Sequence, residues 1–400
     1  MEKINNLLFS AKYCGIKKKA EKGRRFDVGL AVFNTPTRVS AVFTKNKIKA
    51  APVIISKNNS KNLINAIIVN SGNANACNGE YGILDAVRVT EAVSREIGVG
   101  KDNIFICSTG VIGERLKAES MERIIPELVE SADESGFDDF AESIMTTDTF
   151  TKTASEDILL DGKKYKMIGT SKGSGMIMPN MATMLAFIFT DIPIERRLAD
   201  IMFKECVDVS FNSVTVDGDT STNDTATFFY PDAPQALKWP SIKQYGTNYN
   251  IVKKALLYVC MELAKMIAAD GEGATKLIRI TVENAYTEES AKKTALTVAN
   301  SPLFKTMITG EDLNLGRIMA AIGRSPVRMK PGKIDVYIGD KIVVENSVIS
   351  GELSKTEERA LLSPVEIDFK IDLNCGKSSR TVLTCNLTKE YIDINASYRS

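Results

Sequence analysis

The chain of 400 residues is 44% hydrophobic and 25% charged, an ordinary globular composition with length enough for two or three domains. Its 51 basic and 50 acidic side chains leave a net charge of +1, so no global field recruits nucleic acid or an anionic membrane. Histidine is absent. That removes Ser-His-Asp and Cys-His catalysis together with histidine-ligated zinc, and leaves proton transfer to a carboxylate, lysine, tyrosine, thiol or free α-amine.

The N-terminal "MEKINNLLFSAKYCGIKKK" has no secretory apolar core. The basic run Lys17 to Arg25 holds no aromatic ring on which a base could stack, and reads as solvated surface. Strand-like apolar runs then recur at 65–73, 103–110, 166–171, 182–191, 226–230 and 277–285. Between them lie segments of helical spacing at 84–98, 116–132, 194–210 and 250–271; in the first, Ala86, Val89, Ala92, Val93 and Ile97 form one stripe. Residues 230–246, with three prolines, read as an excursion or lid loop. After Ser325 apolar and polar residues alternate, with "GD" (339–340) and "CGKS" (375–378) as hairpin turns. The pattern predicts an α/β protein with an antiparallel, strand-rich C-terminal part and a boundary near 275. The longest near-apolar run, Met176 to Thr190, is too short to span a bilayer and contains Pro179 and Asn180. The seven cysteines are scattered, odd in number and never spaced as CxxC, which argues for a reducing, cytoplasmic setting and against a zinc site.

Several motifs bear on chemistry. "GTSKG" (169–173) matches a nucleophile elbow, but that elbow needs a histidine base. "DGDTSTNDTATF" (217–228) opens like a calcium loop, yet Thr222 replaces the turn glycine and Phe228 the bidentate glutamate, so no metal is expected. "VNSGNANACNG" (69–79) reads equally as a loop of backbone-capping amides or as a pocket wall. "CSTGVIG" (107–113) reads as a helix N-cap or, more sharply, as an oxyanion hole made of the Thr109 hydroxyl and the Gly110 N–H. In "AADGEGATK" (268–276), Glu272 between two glycines points into a cleft or stands on an exposed turn, the second being the simpler expectation. In "SKGSGMIMPNMATMLAFIFTD" (171–191), Thr183 is either a buried strand residue or a nucleophile whose own α-amine is the base. The second reading requires a cut between Ala182 and Thr183. The freed amine, with an ordinary pKa of about 7.7–8.0, then accepts the hydroxyl proton.

These segments resemble the ornithine acetyltransferase (glutamate N-acetyltransferase) family of arginine biosynthesis. The resemblance runs over essentially the whole chain, through "VNSGNANACNGE", "CSTGVIGE", "MTTDTFTK", "KGSGMIMPNMATMLAF", "VDGDTSTND", "DGEGATK", "GEDLNLGR" and "INASYRS". It implies self-cleavage into an alpha chain, 1–182, and a beta chain, 183–400, which stay together and pair as α2β2. It implies a layered α-β-β-α sandwich over 1–275, and a smaller strand-rich domain over 276–400 whose tail returns to the active site. It implies Thr183 as nucleophile, Thr109 and Gly110 as oxyanion hole, and Thr149, Lys172, Thr183, Glu272, Asn395 and Ser400 as substrate-binding residues. The implied reaction passes acetyl from N2-acetylornithine to glutamate through acetyl-Thr183 in ping-pong order. No cofactor or metal is implied, and acetyl-CoA stands as a candidate second donor. Lys172 suits an α-carboxylate and Glu272 an ammonium group. Aminopeptidases and amidases that share this fold and self-cleavage pass the acyl group to water, and form the alternative. The sequence departs from the family pattern at Thr151, where proline is common, and at Leu313 and Leu315, where proline and tryptophan are usual.

Overall fold

The computed structural model describes residues 4, 6–17, 26–178, 184–232, 246–351 and 353–397. The chain divides into two compact units. The first comprises 1–173, 179–211 and 220–263; the second comprises 174–178, 212–219 and 264–400. The division falls after Leu263, upstream of the expected boundary near 275, and assigns two short upstream segments, 174–178 and 212–219, to the second unit.

In chain order the first unit contains β1 (Leu7–Lys12), β2 (Val28–Phe43), α1 (Ala51–Asn59), β3 (Ile64–Asn73), α2 (Gly79–Ile97) and β4 (Ile104–Val111). Next come α3 (Ala118–Glu130), α4 (Phe137–Ser143), β5 (Lys152–Leu160), β6 (Lys163–Lys172), β7 (Leu185–Thr190), α5 (Arg196–Val209) and β8 (Thr225–Pro231). Helix α6 (Thr247–Ala269) begins in this unit and ends in the second. The sheet order is β4-β3-β2-β8-β7-β6-β5, with β1 also on β2. The 16-residue β2 serves two leaves: Val28–Val32 pairs with β3, and Thr37–Phe43 pairs with β8.

Side-chain alternation assigns each face. In β3, Ala66 and Ile68 meet Val89, Val93 and Met121 of α2 and α3, while Ile67 and Val69 turn to the opposite face. Both faces are buried, which is why "AIIV" is continuously apolar rather than alternating. Between the leaves lies an aromatic core. Phe9 and Phe105 from one leaf, Phe187, Phe189 and Phe229 from the other, and Phe137 and Phe140 of α4 stack with centroids 5.2–5.7 Å apart in pairs such as Phe9–Phe137 and Phe105–Phe229. Each such pair adds about 0.5–1.5 kcal/mol beyond its burial. On the far face of the second leaf Phe228 packs on Phe203 of α5 at 6.0 Å, and Gly169 lies under Val259 and Leu263 of α6. The first unit is thus the expected α-β-β-α sandwich.

The second unit is built on β9 (Leu277–Ala285), α7 (Glu288–Ala299), α8 (Pro302–Gly310), α9 (Leu315–Gly323), β10 (Asp335–Ile338), β11 (Lys341–Glu345) and β12 (Val348–Ile349). It is completed by α10 (Lys355–Leu362), β13 (Glu366–Asp372), β14 (Ser378–Cys385) and α11 (Lys389–Ala396). Its six strands run β12-β11-β10-β13-β9-β14. Ile278, Ile280 and Val282 of β9 form one face, with Phe369 of β13, and pack on Ala291, Ala295, Phe304 and Ile322 of the helices. Leu313 and Leu315, the sequence departures, are partly buried against that core, so apolar packing holds this segment without proline or tryptophan. Gly339 and Asp340 turn the β10–β11 hairpin as expected. "CGKS" does not: β13 pairs parallel and β14 antiparallel with β9, which lies between them. The turn therefore crosses the end of β9, where Asn284 O accepts from Cys375 N at 2.8 Å and Gly376 N at 2.7 Å. No helix among the described residues is long and apolar enough to cross a membrane.

Candidate active site

In the first unit the parallel strands β3 and β4 end in register, with Ser71 opposite Thr109 and Gly72 opposite Gly110. Ser108 Oγ donates to Asn70 Oδ1 at 2.5 Å, and Asn70 Nδ2 donates to Asn73 O at 2.8 Å. Asn73 Oδ1 accepts from Asn75 N at 2.8 Å, and Asn75 Nδ2 donates to Gly82 O at 2.9 Å. The asparagines of 69–79 thus satisfy backbone groups, the first of the two readings open for that segment. Gly110 is required where it stands: its φ is +131°, and a Cβ would overlap the Gly72 and Asn73 backbone. The N-cap reading of "STG" is corrected, because Thr109 and Gly110 lie within β4 and the next helix, α3, starts at Ala118.

Lys172 ends β6 with 8% of its surface exposed, and its Nζ donates to Thr109 Oγ1 at 3.3 Å. Because that oxygen accepts from an ammonium, the Thr109 proton is left to point elsewhere. Asp148 is fully buried and accepts from Lys152 Nζ at 2.7 Å, Gly173 N at 2.6 Å and Thr146 N at 2.8 Å. Burial alone would raise its carboxyl, but the ammonium groups of Lys152 and Lys172 and these hydrogen bonds hold it well below the usual carboxylate range. Thr149, the next residue, is exposed. Ala182 and Thr183 lie outside the described residues. Met184, which follows them, accepts at its carbonyl from Thr225 N at 2.9 Å, so β8 begins beside the start of β7.

Two neighbours of Thr225 complete this arrangement. Asn223 Nδ2 donates to Ala74 O at 2.5 Å and Ser108 O at 2.8 Å, tying the ends of β3 and β4 to the entry of β8. Asp224 is buried with no hydrogen-bond partner for its Oδ2 among the described residues, and desolvation pushes its carboxyl well above the ordinary range despite the opposing pull of Ser221, Lys172 and Thr44. Sequence reasoning missed Asp148, Asn223 and Asp224. The available signals were slight: an acid four residues before a lysine at a strand entry, and a polar pair abutting the buried run "TATFF".

In the second unit Glu272 is 8% exposed, which corrects the expectation of an exposed turn. Its N–H donates to Ser174 O at 2.9 Å, and its Oε2 accepts from Asn395 Nδ2 of α11 at 2.8 Å. Gly175 is bare because a Cβ would overlap the Glu272 carboxylate. The approach of α11 is fixed by Thr388 Oγ1, which donates to Gly273 O at 2.7 Å. Asp217, which opens the calcium-like loop, is occupied by backbone donors: Met176 N at 2.6 Å, Ile177 N at 2.9 Å and Asp219 N at 3.1 Å. No cluster of three or more metal-ligating side chains occurs among the described residues. Ser400 lies outside them.

Comparison with known proteins completes the picture. The family model described as the ArgJ family matches residues 8–400. The arginine biosynthesis bifunctional protein ArgJ of Geobacter sulfurreducens is 40% identical over 398 residues, 99% of this chain and 100% of that protein. Its namesake from Caldanaerobacter subterraneus subsp. tengcongensis is 41% identical over 397 residues, 98% of this chain and 96% of its own. Among solved structures, arginine biosynthesis bifunctional protein argJ of Bacillus halodurans is 34% identical with a TM-score of 0.48, covering 52% of this chain and 96% of that one. Ornithine acetyltransferase of Mycobacterium tuberculosis, complexed with ornithine, is 29% identical with a TM-score of 0.38, covering 45% of this chain and 94% of that one. A match of the family model over nearly the whole length, with relatives of about equal length, shows that the chain belongs to the ArgJ family.

Proposed function

We propose that the chain cuts itself between Ala182 and Thr183 and then transfers acetyl from N2-acetylornithine to glutamate through an acetyl-Thr183 intermediate. The Thr183 hydroxyl attacks the Ala182 carbonyl, the amide becomes an ester, and water releases the alpha and beta chains. The new α-amine takes the hydroxyl proton as Thr183 attacks the acetyl carbonyl, and passes it to the departing ornithine amine. Glutamate then attacks the acetyl-enzyme, so one pocket serves two amino acids in turn and the kinetics are ping-pong. The oxyanion of each tetrahedral intermediate accepts from the Thr109 hydroxyl and the Gly110 N–H. Thr149, Lys172, Glu272, Asn395 and Ser400 bind substrate, Lys172 taking a carboxylate and Glu272 an ammonium group. Acetyl-CoA is the donor for a second activity, in keeping with the word bifunctional in the relatives' names. The cleaved chains pair as α2β2 in the cytoplasm.

The observation that supports this reading is the Lys172–Thr109 hydrogen bond of 3.3 Å, in which the Thr109 oxygen accepts and its proton is left to point elsewhere, next to Gly110 at the end of β4. It is joined by the absence of histidine, which leaves the α-amine as an economical base. Intact-mass measurement tests it directly. Two fragments divided at Ala182–Thr183 are expected from active enzyme, and Thr183→Ala is expected to give one full-length, inactive chain. An active preparation with that bond uncut overturns the proposal. Acetate release outrunning acetyl transfer to glutamate would move the reading to the amidohydrolase class.

A further inference from the structure

The first unit holds a cavity of about 640 Å³ whose lining includes neither Thr109 nor Lys172; it is lined by the consecutive residues 39–44, by Lys57 of α1 and the following Ser60, and by Arg196, Asp200, Phe203 and Lys204 of α5. Side chains on a strand alternate between faces, so consecutive lining residues place the cavity along an edge. The pairing agrees. Beyond Thr37 no strand among the described residues joins the edge of β2 opposite β8, along which the cavity runs. The volume lies in the range of small-molecule sites.

Its charge is one-sided. Lys45, Lys49, Lys57, Arg196 and Lys204 face a single carboxylate, Asp200, in a chain that is otherwise balanced. Asp200 is already engaged, accepting from Ser40 Oγ at 2.6 Å and lying 3.9 Å from Arg196. Lys49 Nζ donates to Asn46 O at 2.9 Å. Lys45, Lys57 and Lys204 are exposed and have no acidic partner among the described residues. Some surface cations elsewhere are matched, as Arg88 is by Glu122 at 2.7 Å and Lys101 by Glu91 at 2.8 Å. Like charges on three separate elements repel, and that repulsion is relieved by an anion of more than one charge. Lysines act on phosphate as point charges.

We infer that this cavity binds a small anion carrying two or more phosphate groups. Acetyl transfer between N-acetylornithine and glutamate neither needs nor assigns it. The test is calorimetric titration of the self-processed protein with pyrophosphate, ADP and adenosine, repeated on Lys57→Glu/Lys204→Glu. The expected result is one site per chain for pyrophosphate and for ADP, none for adenosine, and binding that weakens as salt is raised. The double variant, altered only at exposed positions, keeps its thermal stability and acetyl transfer and loses about tenfold or more in affinity for both anions. Failure of both anions to bind the parent protein at low salt, affinities unchanged by the double reversal, or adenosine binding as well as ADP would each overturn the inference. ADP binding more tightly than pyrophosphate supports a nucleotide, and equal affinities support a simple polyphosphate.

Discussion

Asp148 in the first unit and Glu272 in the second are both carboxylates removed from water, and the chain treats them in opposite ways. Asp148 is enclosed with Lys152 at 2.7 Å and with the field of Lys172. Glu272 accepts from the Asn395 amide and meets no cation among the described residues. A buried charge with its counter-ion built in is committed to the fold. A buried carboxylate given only an amide retains its demand for a positive group, which the ammonium of an amino-acid substrate would meet. Under the proposed function, the contrast separates a residue that holds the fold together from one that recognises what enters the site.

Asp148→Asn carries the largest expected effect. It removes the carboxylate that faces the buried Lys152 at 2.7 Å and is expected to cost about 3–5 kcal/mol. A fall of roughly 10 °C in Tm follows, since each kcal/mol shifts the Tm of a unit this size by about 2–4 °C. The sign with pH is fixed by direction. A carboxyl held below its ordinary pKa stabilises the fold above the unfolded value of about 3.9, and that contribution is lost as pH falls below it. Thermal unfolding at mildly and strongly acidic pH should therefore show an acid-labile component in the parent that is missing from the variant. A variant as stable as the parent would break the contrast at its first term.

Glu272→Gln should do the reverse. With no cation left behind, stability changes by less than about 1 kcal/mol. Loss of a charge-assisted hydrogen bond to a substrate ammonium, about 1.5–3 kcal/mol, raises KM for N-acetylornithine roughly 10- to 100-fold. Steady-state kinetics beside a melting curve reads both. A large drop in Tm with KM unchanged would make Glu272 a second Asp148.

The elements most legible in the sequence were those buried on both faces: β3, β4, β7 and β8 stand out as continuous apolar runs because two layers cover them. Of the expected site residues, Thr109, Gly110 and Lys172 lie together at the ends of β4 and β6, and their chemical roles belong to the proposed reading. Burial of Glu272 was not legible, because it depends on α11 and on Gly175, both distant in sequence. The fate of "CGKS" was hidden for a related reason: a local turn looks alike whether its strands pair with each other or flank a third. Asp148 is a polar residue whose importance comes from Lys152, Lys172 and the N–H groups of Thr146 and Gly173 around it, and the contributions of Lys172 and Gly173 are set by topology rather than by spacing.

Asn223 offers the smallest and most discriminating change, because it contributes neither charge nor nucleophile. Its amide hands one hydrogen to Ala74 O and the other to Ser108 O, the residue before Thr109, from a segment paired to Met184. Removing it in Asn223→Ala leaves two buried carbonyls without their donors, at about 1–2 kcal/mol. It also loosens the end of β4 against β8, so the Thr109 hydroxyl and Gly110 N–H should lose their aim at the reacting carbonyl while the groups that bind substrate stay in place. The expected signature is a kcat about tenfold lower with KM nearly constant, the pattern of an interaction used only in the transition state. If KM rises instead and kcat holds, Asn223 belongs with Glu272 on the recognising side of the comparison.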